Sequence, residues 1–176
     1  QKQYGFKLLE AALKLGADPN LVYYNKAKEN DKMFRDTSTL LGIAMNRYDD
    51  NRKLVRLLLK YGADYKTKTS RMQESVTFNI VHRNVEMTEE MRVKYLDLFW
   101  EYDGIELEER NNLNSTPLIA CAQGCHPQAL SWLIEKGAKI DVRGGIDDSP
   151  PIHKAISNHS DYSPENRAKT VEILLN

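Results

Sequence analysis

The sequence predicts an all-α protein, a solenoid of short stacked helix-turn-helix pairs. Three observations predict it. Apolar residues recur at three- and four-residue spacing in short blocks, which marks one buried face per helix. Blocks open on Ser, Thr or Pro and close on Gly, the usual helix punctuation. The closing sequence also recurs, as Gly16-Ala17-Asp18, Gly62-Ala63-Asp64 and Gly137-Ala138. A lone pair of short helices cannot hide its own apolar face, so such pairs must stack.

The clearest pair lies at 115–139. Thr116 reads as an N-cap and Pro117 as a first helical residue, where a missing N–H does no harm. Leu118, Cys121 and Ala122 form the apolar face. His126-Pro127 ends this helix and starts a second, whose face is Ala129, Leu130, Leu133 and Ile134. Gly137 follows the last turn, where a left-handed residue is needed.

Bulk properties narrow the function classes. The chain has 176 residues, with 25 Lys plus Arg against 25 Asp plus Glu. A zero formal charge weighs against a dedicated nucleic-acid binder. No apolar run is long enough to span a bilayer, and none resembles a signal peptide. The two cysteines, Cys121 and Cys125, stand four apart on or near one helix. That spacing argues against a disulfide scaffold and for a reducing, cytoplasmic setting.

In chain order, Leu8, Leu9, Ala12 and Leu13 give the first apolar face, closed at Gly16. Residues 21–37 are polar and long for a connection, which marks either a binding loop or local disorder. A first helix follows at 38–44, with Leu40 and Ala44 inward, and a second at 54–64, which Asp50 or Asn51 can cap. Residues 65–75 read as an exposed finger loop. Phe78, Val81 and His82 fill the inward positions of an irregular first helix. Thr88, with Glu89 and Glu90 at the positive end of the dipole, starts its second helix. Leu96, Leu98, Phe99 and Trp100 follow, Trp100 inward, up to Asp103-Gly104-Ile105. Residues 106–114 form the next finger, where Asn114 suits a left-handed turn. Residues 140–149 form another, turning at Gly144-Gly145. Pro150–Ala155 opens a further first helix, and Ser163-Pro164-Glu165 the last second helix.

The stretch Thr116-Pro117-Leu118, Cys121-Ala122, Cys125-His126, Leu133-Ile134 and Gly137-Ala138 resembles an ankyrin repeat, with Ile119 in place of the family His and Lys139 in place of its Asp. Pro151-Ile152-His153-Lys154-Ala155 resembles the start of another. The resemblance implies about five repeats in one domain over 1–176, at roughly 1–20 (partial), 36–64, 75–105, 115–139 and 149–176 (partial). Steps between endings are 46 from Gly16 to Gly62, 41 from Gly62 to Asp103 and 34 from Asp103 to Gly137. The excess over the family period of about 33 falls in loops. Both ends fall inside a repeat, as expected of an excerpt of a longer protein.

Little here points to chemistry. Cys121, Cys125, His126 and His153 are the one cluster with metal-ligand or nucleophile potential. Yet Cys121 fills a buried Ala position, and no CxxC pair or HExxH helix is present. Gly144-Gly145 lacks the helix start and Lys of a phosphate loop. No catalytic, cofactor-binding or metal residue is expected. Tyr23, Tyr24 and Tyr65 lie in fingers, either as binding anchors or as covers of the loop's own base. Trp132 is expected to be partly exposed.

What the resemblance implies is recognition of another protein, by a non-enzymatic and monomeric module, without nucleic acid or membrane. The surface would combine finger loops with a concave first-helix face. From first helices it would draw on Met45, Asn46, Arg83, Asn84, Gln123, Lys154 and Asn158. From fingers it would draw on Arg35, Met72, Gln73, Asn112, Leu113, Ile146 and Asp147. An alternative is a recruiting arm of a larger protein, such as a pathogen effector, whose catalytic domain lies outside these residues.

Overall fold

The computed structural model describes residues 2–26, 35–45, 50–68, 72–83, 87–157 and 163–176. Their contacts divide the chain into two compact units, Gln1–Arg71 and Met72–Asn176.

The first unit holds α1 (Lys2–Lys14), β1 (Val22–Lys26), β2 (Arg35–Thr39), α2 (Leu40–Met45) and α3 (Arg52–Lys60). Its core is Leu41, Ala44 and Met45 of α2 with Val55, Leu57, Leu58 and Leu59 of α3. Asn51 is the N-cap of α3 but makes no side-chain cap bond; it donates to the Ala44 carbonyl at 3.0 Å, while Asp50 Oδ1 accepts the Arg52 N–H at 3.1 Å. The polar run read as a loop contains a two-stranded antiparallel hairpin, paired from Val22↔Thr39 to Lys26↔Arg35. Tyr, Val and Thr favour extended backbone, but no apolar–polar alternation announces it. Residues 27–34, the middle of that run, lie outside the described residues. Leu8, expected inward, is 74% exposed, because five residues put it about 140° around the helix from the buried Leu13. Tyr65, placed in an exposed finger, is buried.

The second unit holds three helix pairs. The first is α4 (Val76–Phe78), continuing as a π turn over Asn79–Arg83, with α5 (Glu89–Asp103). The second is α6 (Pro117–Gln123) with α7 (Pro127–Glu135), and the third α8 (Pro151–Ser157) with α9 (Pro164–Leu175). First helices line up through α4 and the π turn, α6 and α8; second helices through α5, α7 and α9. The core lies between the two layers, from Phe78, Ile80 and Val81 through Leu118, Ile119 and Cys121 to Leu130, Leu133 and Ala155. Thr88 and Thr116 cap as expected, accepting the N–H groups of Met91 and Ile119. Trp132 is 5% exposed and Trp100 is the more open of the two, the reverse of expectation. The Trp132 Nε1–H is satisfied by Asp97 at 2.7 Å, which permits burial.

The recurrent endings have one geometry. Gly16, Gly62 and Gly137 sit at φ 91°, 86° and 99°. In each, the glycine N–H and the following Ala N–H reach back to two helix carbonyls at 2.9–3.1 Å, the Schellman arrangement. The α5 ending falls on Gly104 (φ 81°) rather than Asp103, with one bond to the Trp100 carbonyl, and Ile105 in place of Ala. From Gly104 to Gly137 is then 33 residues, against the 34 counted from Asp103. A Cβ on Gly137 would meet nothing, so Gly137→Ala isolates the backbone strain. That variant is expected to lose about 1 kcal/mol in urea unfolding, with its far-UV spectrum unchanged.

Candidate protein-binding face

Three fingers in the second unit lead into first helices, ending at Ser75, Thr116 and Pro150. Two residues before each of these, the backbone is left-handed: Gln73 (φ 53°), Asn114 (φ 59°) and Asp148 (φ 47°). This turn swings the chain from finger to helix. Asn111 builds the middle finger. Its Oδ1 accepts the N–H groups of Leu113 and Ser115, each at 3.0 Å. Its Nδ2 donates to Glu74 of the preceding finger at 3.0 Å. The Asn112 N–H donates to the Met72 carbonyl at 2.8 Å. Arg110 reaches the other way, to the carbonyls of Asn114 at 2.6 Å and Arg143 at 2.9 Å. Each finger is thus tied to the next.

The last finger is a tight turn closed by two backbone bonds between Gly144 and Ser149, at 3.1 and 2.9 Å. A Cβ on Gly144 would collide with the Asn114 carbonyl, so this finger must pass close to its neighbour. Asp147 accepts from Lys154 of α8 and from Ser149 Oγ at 2.6 Å. The Lys154 bond, with the Ser149 hydroxyl, holds the Asp147 carboxyl well below the usual carboxylate range. Ile146, at the tip, is 89% exposed.

The structure brings part of the expected surface together. Gln73, Asn112, Ile146 and Asp147 are exposed; Met72, Leu113, Gln123 and Lys154 are half-buried. Met45 is corrected: it is 1% exposed, because its spacing of one and four residues from Ala44 and Leu41 puts it on the inner face of α2. Lys154 braces its own finger through Asp147. Asn46, Asn84 and Asn158 lie outside the described residues. Arg35 lies in β2 and Arg83 in the π turn, and their side chains are outside the description.

Sequence reasoning missed a polar cluster between the starts of α5 and α7. Glu89, at the start of α5, reaches across to α7. Its Oε2 accepts the Gln128 N–H at 3.1 Å and its Oε1 meets His126 Nδ1 at 2.7 Å. Glu89 thereby supplies the cap that His126, the N-cap of α7, does not provide itself. Arg92, wholly buried, stands 3.4 Å from the same carboxylate and donates to the Ile80 carbonyl. Burial pulls His126 below its ordinary 6.5, although the Glu89 hydrogen bond opposes this. Burial pushes Glu89 up, but the His126 bond, the Gln128 N–H and Arg92 together hold it below its ordinary 4.5. With Glu89 ionised and His126 neutral, the imidazole proton sits on Nδ1. The acid pair at Glu89-Glu90 was legible as a helix start; the partner across the turn was not.

Cys121 Sγ donates to the His126 carbonyl at 3.4 Å, and burial pushes its thiol far up. Cys125 Sγ faces the Ala155 carbonyl at 3.9 Å. Both are free and buried. Among the described residues, no three His, Cys, Asp or Glu side chains converge as metal ligands, and no helix is long and apolar enough to cross a membrane.

Glu89 and His126 both titrate below their unfolded values. Below pH 6.5 the unfolded chain therefore binds more protons than the folded one, and stability falls with acid, first through His126 and then, below 4.5, through Glu89. The urea midpoint is expected to drop between pH 7 and pH 4 (roughly the span of the two ordinary values). Glu89→Gln is expected to lose about 3–5 kcal/mol at pH 7, as for breaking a buried pair, and to remove the part of the acid loss that lies below pH 4.5.

The family model of the ankyrin repeat matches residues 113–145. No curated protein matches the sequence. Among solved structures, an ankyrin repeat domain from Acinetobacter baumannii AYE superposes with a TM-score of 0.67 at 20% identity, over 98% of this chain and 76% of that one. The chain carries an ankyrin repeat at 113–145 and takes the ankyrin-repeat fold.

Proposed function

We propose that the second unit binds another protein through its row of fingers and the adjoining first-helix surface. Ankyrin repeats are in general protein–protein interaction modules, and their domains are typically non-catalytic. The observation that carries the reading is the cross-bonding of the fingers. Asn112 to Met72, Asn111 to Glu74 and Arg110 to Arg143 tie the end of the first finger, the middle finger and the start of the last to one another. A surface fixed in advance loses little conformational freedom when a partner arrives, so more of the contact energy appears as affinity.

Within that row Ile146 is 89% exposed and Asn112 is exposed beside its backbone tie to Met72. Ile146 offers an apolar anchor, and Asn112 a polar contact from the neighbouring tip. Lys154 and Asp147 hold the last finger on α8 and act on a partner through its placement. The two free, buried cysteines support a reducing compartment as the setting.

The test is affinity capture with the full 176-residue chain, followed by calorimetric titration of the captured protein. An Asn112→Arg/Ile146→Asp double variant is expected to retain the helical spectrum and lose at least about 10-fold in affinity, about 1.4 kcal/mol. Equal affinity for the variant would remove the finger row as the binding surface.

A further inference from the structure

The second helices α5, α7 and α9 lie side by side, as the layer opposite the first helices. α5 and α7 run the same way. Glu89 accepts the Gln128 N–H at their starts, and the Trp100 and Trp132 rings meet edge to face near their ends, 5.6 Å between centres. The outward side of α7 carries Gln128, Ser131 and Glu135, three and four residues apart. Ser131, in the middle, is the shortest of them, and a groove of about 450 Å³ follows the helix there. Its floor is Pro127 and Trp132. Val93 of α5 stands on one side, and Ile173 with Glu172 of α9 on the other. From Pro127 to Glu135 the groove spans about 12 Å, or two helical turns.

This layer is acidic in a chain whose formal charge is zero. Its three helices hold eight acids against four bases, a net of −4. Three of those bases already face acids of the layer: Arg92 beside Glu89, Lys94 on Glu90 and Lys169 on Glu165. Glu135 and Glu172, which line the groove, pair with no cation among the described residues. Both also stand in the last turn of their helices, where the helix dipole disfavours an acid. Lys136, which would suit that end of α7, lies over the rings of Trp100 and Trp132 instead, 5.3 and 5.4 Å from their centres. Carboxylates set against the dipole and left without a counterion do not serve the fold. They mark where a cation from outside is favoured.

We propose that this groove is a second recognition surface, which takes a basic amphipathic helix from a partner protein. The short Ser131 side chain lets such a helix approach closely, with its apolar residues over Ser131 and against Val93 and Ile173. Its Lys or Arg residues then reach Glu135 and Glu172. Apolar anchors at helical spacing laid into a groove are a recurring mode of peptide recognition, and the two carboxylates repel an acidic competitor. The surface belongs to the second helices, whereas the fingers lead into the first helices. It therefore stands or falls apart from the finger row.

The probe is a peptide of about 14 residues built from Leu and Lys, with Leu at i, i+3, i+4 and i+7, and its control is a Leu/Glu peptide of the same pattern. Each is titrated into the 176-residue chain at low salt and followed by tryptophan fluorescence and backbone NMR. The Leu/Lys peptide is expected to shift the amides of Val93, Ser131 and Ile173, with an affinity that falls as salt rises. Glu135→Lys/Glu172→Lys is expected to bind it at least 10-fold more weakly and to keep its helical spectrum, because lysine suits a helix end. Ser131→Phe fills the groove without changing its charge and is expected to weaken binding as well. Asn112→Arg/Ile146→Asp is expected to bind the peptide as the wild type does. A wild type that does not bind the Leu/Lys peptide would overturn the proposal, as would equal affinity for the Leu/Glu peptide or full affinity in either groove variant. Shifts confined to the fingers would overturn it too. Groove shifts that grow with protein concentration before any peptide is added would assign the surface to a second copy of this chain, and so against the proposal.

Discussion

No first helix among the described residues is long enough to stand by itself. The helix α6 has seven residues, and six of them are buried. Isolated helices of that length do not form in water, because nucleation costs more than so few bonds return. Each helix of the second unit therefore exists through the layer it joins, and the sequence is under two demands. Faces must be apolar and closely fitted, and the ends must stop abruptly so that the next element can turn back. The threonine caps, the prolines at first helical positions and the left-handed glycines answer the second demand.

Close stacking brings many backbone groups to the edges of the layers, away from their own helix partners. The protein meets this with long polar side chains that reach from one pair to the next. Glu89 caps a helix in the following pair, Asn111 grips both its own finger and the one before, and Arg110 reaches the finger after. These bonds run along the row of pairs, whereas the apolar contacts run between the two layers. Lateral ties of this kind turn three separate loops into one surface, which is the property a recognition module needs.

Much of this was legible in the sequence because helix ends and apolar spacing are local signals. Gly62-Ala63-Asp64 and Thr116-Pro117 carry their geometry within a few residues. Asn114 was readable as left-handed for the same reason. The rest depends on partners distant in sequence. Met45 looks free in a register match and is buried by the packing of α2 on α3. Trp132 becomes a core residue only because Asp97 meets its indole N–H. Glu89 gives no hint of His126, 37 residues away. The hairpin at 22–39 was hidden by its polarity, since strand pairing there has no apolar face to announce it.

The fingers also bear on how the chain meets proteases. Loop tips are ordinarily where nicking concentrates, because a protease must thread an extended, unengaged segment through its cleft. The tip at 110–114 has its backbone engaged on both sides, by Met72, by the Asn111 side chain and by Arg110. Cleavage there has to wait until several of those bonds open together, and its rate then measures the cooperative opening of neighbouring pairs rather than the motion of one loop. Limited digestion of this chain becomes a gauge of how tightly its repeats hold one another.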